Sequence, residues 1–387
     1  MIRLGIPNEN VTHREETRVA LTPDILKRLS RLGVEVVIEA GAGIFSGYDD
    51  DSFKSAGATV TTDAAQAVWS ESDAVACVNC PSVDQVRKMK AGALLIGYLR
   101  SAEHADEMNA ALEKKVSVLS LEAVPRTTRA QAIDALTAMG NLAGYKAALL
   151  GAEHSVKLFP MMMTAAGTLQ PAKAFIIGAG VAGLQAIATC KRLGARVEAY
   201  DVRPAVKEQV ESLGATFVEF DLKSAEGEGG YAREQTAEEQ EAQKQAMAKV
   251  IAESDVVITT AAIPGRPAPK LVDDRMVKGM HPGSVIVDMA AETGGNCTMT
   301  VPGEIVKKEN VTIVGLKNLP GTIPFHASQT YGRIVQTLMS WIVKEKKIAL
   351  DFEDEIVSAV TVIHQGEVRW DGLKEAMGVE VTEGAGA

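Results

Sequence analysis

The stretch Ala174-Phe-Ile-Ile-Gly178-Ala-Gly180-Val-Ala-Gly183-Leu-Gln-Ala-Ile-Ala-Thr-Cys-Lys-Arg-Leu193-Gly194-Ala-Arg-Val-Glu-Ala-Tyr200-Asp201 decides the fold. An apolar strand, Phe175 to Ile177, breaks into a glycine turn and a helix follows, Leu184 to Leu193, stopped by Gly194. A second strand, Arg196 to Tyr200, ends on Asp201. Glycines at this spacing have separate tasks: Gly178 allows the tight turn, Gly180 lets backbone approach a pyrophosphate, and Gly183 lets the helix pack on the strand while its first amides face phosphate. With the acid about 20 residues further on, the stretch reads as a dinucleotide site. Asp201 can accept hydrogen bonds from the adenosine-ribose hydroxyls and would repel a 2′-phosphate, which favours NAD(H) over NADP(H). Arg203, two residues later, is placed where it can hold such a phosphate.

Working outward, the chain has 387 residues, 46% of them hydrophobic and 23% charged, enough for two domains with full cores. Its net charge of −10 argues against a nucleic-acid partner. No apolar run reaches about 18 residues, so no direct membrane span is expected, and Met1 to Pro7 begins as a strand with no leader expected ahead of it. Cys77-Val-Asn-Cys80 has a redox or zinc spacing, but it falls on an apolar strand with no second ligand pair, so no metal site is expected. The six histidines are scattered.

Strand and helix alternate before the glycine turn as well as after it. Ile2 to Ile6, Glu35 to Ile38, Ala74 to Val78, Ala93 to Tyr98 and Val116 to Leu121 read as strands, with a helix from Pro23 to Leu32, N-capped by Thr22 and closed by Gly33. A long helical pattern runs from Thr128 to Lys157, with Gly140, Gly144 and Ala148 spaced for close packing, and a second from Ser328 to Val343. The expected architecture is α/β: two doubly wound Rossmann-like domains with parallel sheets, joined by two long helices. Residues 1–135 and 325–387 form a discontinuous N-terminal domain, and 136–324 the nucleotide domain. The polar segment Asp221 to Gln245, with Gly227, Gly229 and Gly230 before Tyr231, reads either as a solvated loop or as a lid over the cofactor.

The motifs Glu15-Glu16-Thr-Arg-Val-Ala-Leu-Thr-Pro23, Gly178 to Gly183, Thr259-Thr-Ala-Ala-Ile-Pro-Gly-Arg-Pro-Ala-Pro269 and Gly283-Ser-Val-Ile-Val-Asp288 together resemble the alanine dehydrogenase and transhydrogenase superfamily, nearly end to end. Pro125-Arg126-Thr-Thr-Arg129-Ala-Gln131-Ala-Ile-Asp134-Ala-Leu-Thr137, then Asn141-Leu-Ala-Gly-Tyr145, Gly229-Gly-Tyr231-Ala and Gly294-Gly-Asn-Cys297, resemble one branch: the NAD(H)-binding component of the proton-translocating transhydrogenases. Many members continue into transmembrane helices. This chain stops at Ala387 and so resembles the form in which the component is a separate subunit.

The resemblance implies NAD(H) on this chain, NADP(H) on the beta subunit of a partner complex, membrane-spanning subunits that move protons, a homodimer, and a cytoplasmic position on the inner face of the membrane. It implies cofactor contacts from Gly178, Ala179, Gly180, Val181, Ala182, Gly183, Asp201, Val202, Arg203, Gly230, Thr260, Ala261, Pro264 and Gly265. It also places Arg126, Gln131, Asp134, Thr137 and Tyr231 at the hydride-transfer site. There Arg126 and Asp134 can pair, Gln131 can reach the second nucleotide, and Thr137, a serine in most of the family, or Asp134 can hold a carboxamide.

Chemistry separates the branches. Amino-acid oxidation moves a proton with the hydride and needs an acid/base group and a cation for the substrate carboxylate. The family's dehydrogenases use a lysine and a histidine on consecutive strands; here these strands read Ala74-Val-Ala-Cys-Val-Asn79 and Ile96-Gly-Tyr-Leu-Arg100. Hydride exchange between nicotinamides needs no such group, only positioning and exclusion of water. The alternative is a self-contained amino- or keto-acid dehydrogenase with Arg18 or Arg100 on the substrate carboxylate; a weaker one is a nucleotide sensor.

Overall fold

The computed structural model describes residues 1–220, 237–262 and 267–378. Two compact units divide the chain: Met1–Met139 with the chain from Gly321 on, and Gly140–Pro320. The chain leaves the first inside the helix Ala135–His154 and returns through the 3-10 turn Leu319–Thr322, which leads into the helix Pro324–Ile342.

In the Gly140–Pro320 unit, a seven-stranded sheet among the described residues has the order Thr216–Phe217, Arg196–Tyr200, Lys173–Ile177, Val256–Thr259, Val285–Asp288, Val311–Val314, Ile305–Lys308. All neighbours are parallel except the last pair. The strand Lys173–Ile177 is apolar beyond its first residue because both its faces are covered. Ala174 and Ile176 enter one core with Ala186, Ile187 and Val197, while Phe175 and Ile177 enter another with Met247, Ile251 and Val257. Ile177 pairs in register with Tyr200 on one side and Thr259 on the other. The strand order reverses here, so a crevice opens at the strands' carboxyl ends. Gly144 brings the helix Ala135–His154 against this place, since a Cβ there would collide with the Ala182 carbonyl.

The other unit holds an eight-stranded sheet among the described residues, ordered Glu367–Val368, Thr361–His364, Ser117–Ser120, Leu94–Gly97, Ala74–Ala76, Ile2–Ile6, Val34–Glu39, Thr59–Thr61. The two strands nearest the C-terminus run antiparallel to their neighbours. Ile2, Leu4 and Ile6 pack with Ile25, Leu29 and the helix residues Val335 and Leu338 on one face; Val75, Leu95 and Val118 fill the other.

Several expectations are corrected. The helical pattern from Thr128 is two elements, a 3-10 turn Ala130–Ile133 and the helix Ala135–His154. Asp134 separates them in an extended conformation, and its carboxylate accepts the Thr137 amide at 2.8 Å, starting a new helix. Thr22 stands at the N-cap of Pro23–Arg31 but caps nothing; its hydroxyl donates to Asp24 at 2.6 Å. The second long helix begins earlier, with Pro324 in its first turn. Of the polar segment Asp221 to Gln245, residues from Ala237 on belong to a helix, Ala237–Ala252, rich in the strong helix formers Ala, Glu, Gln and Lys; 221–236 lie outside the described residues. The hairpin Met162–Thr164 and Gly167–Leu169 has no counterpart among the expected elements, and every residue from Met161 to Gln170 is exposed.

Beneath the carboxyl ends of Ile2–Ile6 and Ala74–Ala76 lies a buried polar cluster. Glu9 accepts the amides of Val78 at 2.6 Å and Asn79 at 2.8 Å. Asn79 donates its side-chain amide to Glu9 at 3.2 Å and to Glu16 at 2.8 Å. Arg18 grips Glu16 with Nε at 2.7 Å and Nη2 at 2.6 Å. Burial and the Glu16 charge push Glu9 up to about 7, against the lowering effect of its amide donors. Burial also raises Glu16, but Arg18 and Asn79 outweigh it and hold Glu16 below the ordinary carboxylate value. Close by, Tyr331 donates its hydroxyl to the Cys77 carbonyl at 2.7 Å and accepts the Tyr98 amide at 2.9 Å, tying the helix Pro324–Ile342 to two strand ends.

Tyr331→Phe therefore leaves a buried carbonyl and a buried amide unpaired; urea unfolding should show a loss of about 1–3 kcal/mol. Glu9 has a folded-state value above its ordinary 4.5, so its contribution to stability is fully present below that pH and is lost as pH rises through about 7. The stability difference between the wild type and Glu9→Gln should fall by about 3 kcal/mol between pH 4 and pH 8. A flat difference curve would contradict the raised value; Glu16, shifted the other way, loses its contribution only as pH falls through its own depressed value.

Candidate nucleotide site

The site is built where the strand Lys173–Ile177 stops. Gly178 turns at φ +100°, a conformation glycine adopts without cost, and donates its amide to the Tyr200 carbonyl at 2.8 Å. A Cβ on Gly178 would strike the Thr260 hydroxyl, and one on Gly183 would strike the Gly178 carbonyl oxygen. A Cβ on Gly180 would meet nothing within 4 Å. Two of the three glycines are thus required by the protein's own packing, and the third opens onto free space, the cradle a pyrophosphate needs. Gly180 is the N-cap of the helix Val181–Arg192, so the amides of Val181, Ala182 and Gly183 have no carbonyl one turn back and present an electropositive end to that space. The residues present fit a dinucleotide.

Asp201 is buried at the end of the next strand. One carboxylate oxygen accepts the Ala179 amide at 2.7 Å and Arg203 Nη2 at 3.0 Å; the other accepts the Arg203 amide and Nε, both at 2.9 Å. These four donors match the carboxylate's acceptor capacity. Hydrogen bonding to Asp201 in turn raises the Arg203 value. Arg203 thus embraces the acid rather than standing ready for a phosphate, and ribose hydroxyls reach Asp201 only when the guanidinium swings aside. Val202 packs on the core that holds Phe175.

On the other side of the turn, the Thr260 hydroxyl lies 3.1 Å from the Gly178 carbonyl, and Ala261 is held at both its amide and its carbonyl by Asn296, at 3.1 and 2.8 Å. Pro264, Gly265, Gly230 and Tyr231 lie outside the described residues.

Arg126, Gln131, Asp134 and Thr137 come together on one loop and helix start of the Met1–Met139 unit. Buried Ala130 and Ile133 anchor the 3-10 turn and leave Arg126 and Gln131 exposed. The Asp134 carboxylate takes up the Thr137 amide instead of Arg126, so both residues set the geometry of the helix start. Arg129 steadies the loop from behind: it pairs with Asp354, and its guanidinium lies 4.9 Å from the Trp341 ring centroid. Sequence reasoning missed Arg129, Asp354 and Asn296 as supports. Arg129 and Asn296 do lie within quoted motifs, but their partners are distant in sequence.

Neither arginine considered for a substrate carboxylate is well placed for it. Arg18 is enclosed and gripped by Glu16; Arg100 adopts a left-handed conformation, with its guanidinium 3.9 Å from Glu103. The cavity bordered by Glu9, His13, Cys77 and Asn79 measures about 10 Å³, room for a single water.

Residues 5–143 match the family described as alanine dehydrogenase/PNT, N-terminal domain, and residues 147–371 its C-terminal domain. The first of the separately encoded pieces of the NAD(P) transhydrogenase alpha subunit of Rhodospirillum rubrum is 44% identical over 377 residues, covering 95% of this chain and 97% of that protein. The crystal structure of transhydrogenase from Sinorhizobium meliloti superimposes with a TM-score of 0.83 at 39% identity, over 95% of this chain and 99% of that one. Alanine dehydrogenase of Mycolicibacterium smegmatis is more distant, 32% identical over 83% of this chain and 82% of that protein. The chain belongs to the alanine dehydrogenase/PNT family and, within it, groups with the alpha subunits of NAD(P) transhydrogenase.

Proposed function

We propose that this chain binds NAD(H) in the crevice beside Gly180 and passes hydride from NADH to NADP⁺ carried by the beta subunit of a transhydrogenase complex, whose membrane-spanning subunits couple the exchange to proton flow. When bound, NADH supplies the hydride. The amides of Val181 to Gly183 hold its pyrophosphate, Asp201 takes the adenosine ribose once Arg203 moves, and Val202, Thr260 and Ala261 border the crevice. Gly230, Tyr231, Pro264 and Gly265 complete the cofactor contacts on this reading. Residues 136–324 are the nucleotide domain, and 1–135 with 325–387 the discontinuous N-terminal domain.

Arg126 and Gln131, exposed on an anchored loop, are suited to meeting a second nucleotide supplied from outside. Asp134 and Thr137 hold that loop at the head of its helix. Exchange between two nicotinamides is close to thermoneutral, and one charge crossing 100 mV is worth about 2.3 kcal/mol, enough to drive it toward NADPH.

The observation that carries this reading over amino-acid oxidation is the sealed cluster at Arg18. A small acid needs a cation and a proton carrier, yet Arg18 is gripped by Glu16, and Asn79 offers an amide that carries no proton. Glu9, though raised toward neutrality, has both oxygens bound to amides.

No helix among the described residues is long and apolar enough to cross a membrane, and on this reading the chain sits peripherally on the cytoplasmic face of its complex. It does so as a homodimer, for which the exposed methionine hairpin supplies apolar surface.

The test is hydride exchange from NADH to NADP⁺ on an NADP-binding beta subunit, followed spectroscopically. Arg126→Ala and Gln131→Asn should each slow exchange at least about tenfold, a barrier change of about 1.4 kcal/mol, while NADH affinity stays within about twofold. Wild-type rates in both variants, or alanine-dependent reduction of NAD⁺ by this chain alone, would overturn the proposal.

A further inference from the structure

Behind the crevice, in the Gly140–Pro320 unit, a buried asparagine makes bonds that packing alone does not require. Asn296 is fully buried, and its side chain is spent on the segment that leaves the strand Val256–Thr259. Its Oδ1 accepts the Ala261 amide at 3.1 Å, and its Nδ2 donates to the Ala261 carbonyl at 2.8 Å and the Pro269 carbonyl at 2.9 Å. Both backbone groups of Ala261 are therefore held by one side chain, which fixes the peptide planes on either side of it.

Asn296 is itself held firmly. Its amide donates to Asp288 at 3.0 Å, and its carbonyl accepts the amides of Leu271 and Val272 at 2.8 and 3.0 Å. Asp288 also gathers the hydroxyls of Thr259 and Thr300 at 3.1 and 2.6 Å and the amides of Ala290 and Cys297 at 3.1 and 2.9 Å. Gly295 is needed for this approach, since a Cβ there would come within 2.6 Å of the Asp288 carboxylate. A contact chain results: Asp288 sets Asn296, Asn296 sets Ala261, and the neighbouring Thr260 hydroxyl touches the Gly178 carbonyl.

We propose that Asn296 is a positioning residue for the dinucleotide, acting through Ala261 on the end of the crevice away from Asp201, where the nicotinamide half of the molecule must lie. This rests on the reading that the crevice beside Gly180 takes NAD(H). An amide is the side chain that serves: it donates to two carbonyls and accepts from an amide at once, whereas a carboxylate would face two carbonyl oxygens with no proton to offer. The adenosine half, set by Asp201, is outside the reach of this contact chain.

The experiment compares two ligands on the full chain. NADH is titrated by its fluorescence and 5′-AMP by calorimetry, for the wild type, Asn296→Asp and the milder Asn296→Ser. The proposal expects Asn296→Asp to weaken NADH about tenfold and Asn296→Ser less, with 5′-AMP affinity within about twofold of wild type in both. Hydride exchange at saturating NADH should fall in the same order. Unchanged NADH affinity and exchange in both variants would overturn the proposal, and so would equal weakening of NADH and 5′-AMP, which marks general damage to the unit. Asn296→Ser supplies the same comparison should Asn296→Asp not fold. Failure of the wild type to bind NADH would instead remove the underlying reading of the crevice.

Discussion

The nucleotide unit is organised around the approach of Gly183 to the Gly178 carbonyl, too close for any side chain. It brings the first turn of the helix Val181–Arg192 down onto the end of the central strand, so that unpaired amides face the crevice instead of solvent. The Thr260 hydroxyl presses on the same turn from the neighbouring strand, and the Ala179 amide ties it to Asp201 on the other side. One turn is thereby referenced to three strand ends. A displacement of the helix by the width of a methyl group would disturb the pyrophosphate cradle, the ribose acid and the Ala261 segment together.

Much of this is legible in the sequence because it is local. Strand, glycine turn, helix and terminal acid follow one another within a single βαβ unit, and each glycine answers to a separate steric demand. Asp201 is legible as an acid at a strand end, but not its embrace by Arg203, because the choice between a carboxylate and a phosphate partner depends on how the short Asp201 to Arg203 turn is folded. Asp134 reads as mid-helix from sequence: apolar periodicity runs through it, and only the capture of the Thr137 amide shows that it begins a helix. The helix Ala237–Ala252 is hidden by its polarity, having strong propensity but a weak apolar stripe. The antiparallel edge strands and the Asp288 and Asn296 hub depend on partners far along the chain, where no short window carries a signal.

The cluster beneath Ile2–Ile6 shows how one scaffold can be closed to one chemistry and left open to another. Two buried carboxylates share a single guanidinium, and the shortfall of positive charge is met by holding Glu9 near neutrality. A lysine at position 79 would supply the missing charge and a proton carrier together; the asparagine supplies hydrogen bonds alone. The polar groups there are spent on joining strand ends, which makes the interior of the first unit a structural junction.

The methionine hairpin brings redox chemistry to the surface. Met161, Met162 and Met163 are 59%, 44% and 78% exposed, so their thioethers are within reach of peroxide. Conversion to sulfoxide would make three neighbouring apolar side chains polar, and reductases specific for each epimer would restore them. Any association resting on this ribbon would then follow the oxidative state of its surroundings, while the nucleotide crevice, whose turn contains no sulfur, would keep its shape.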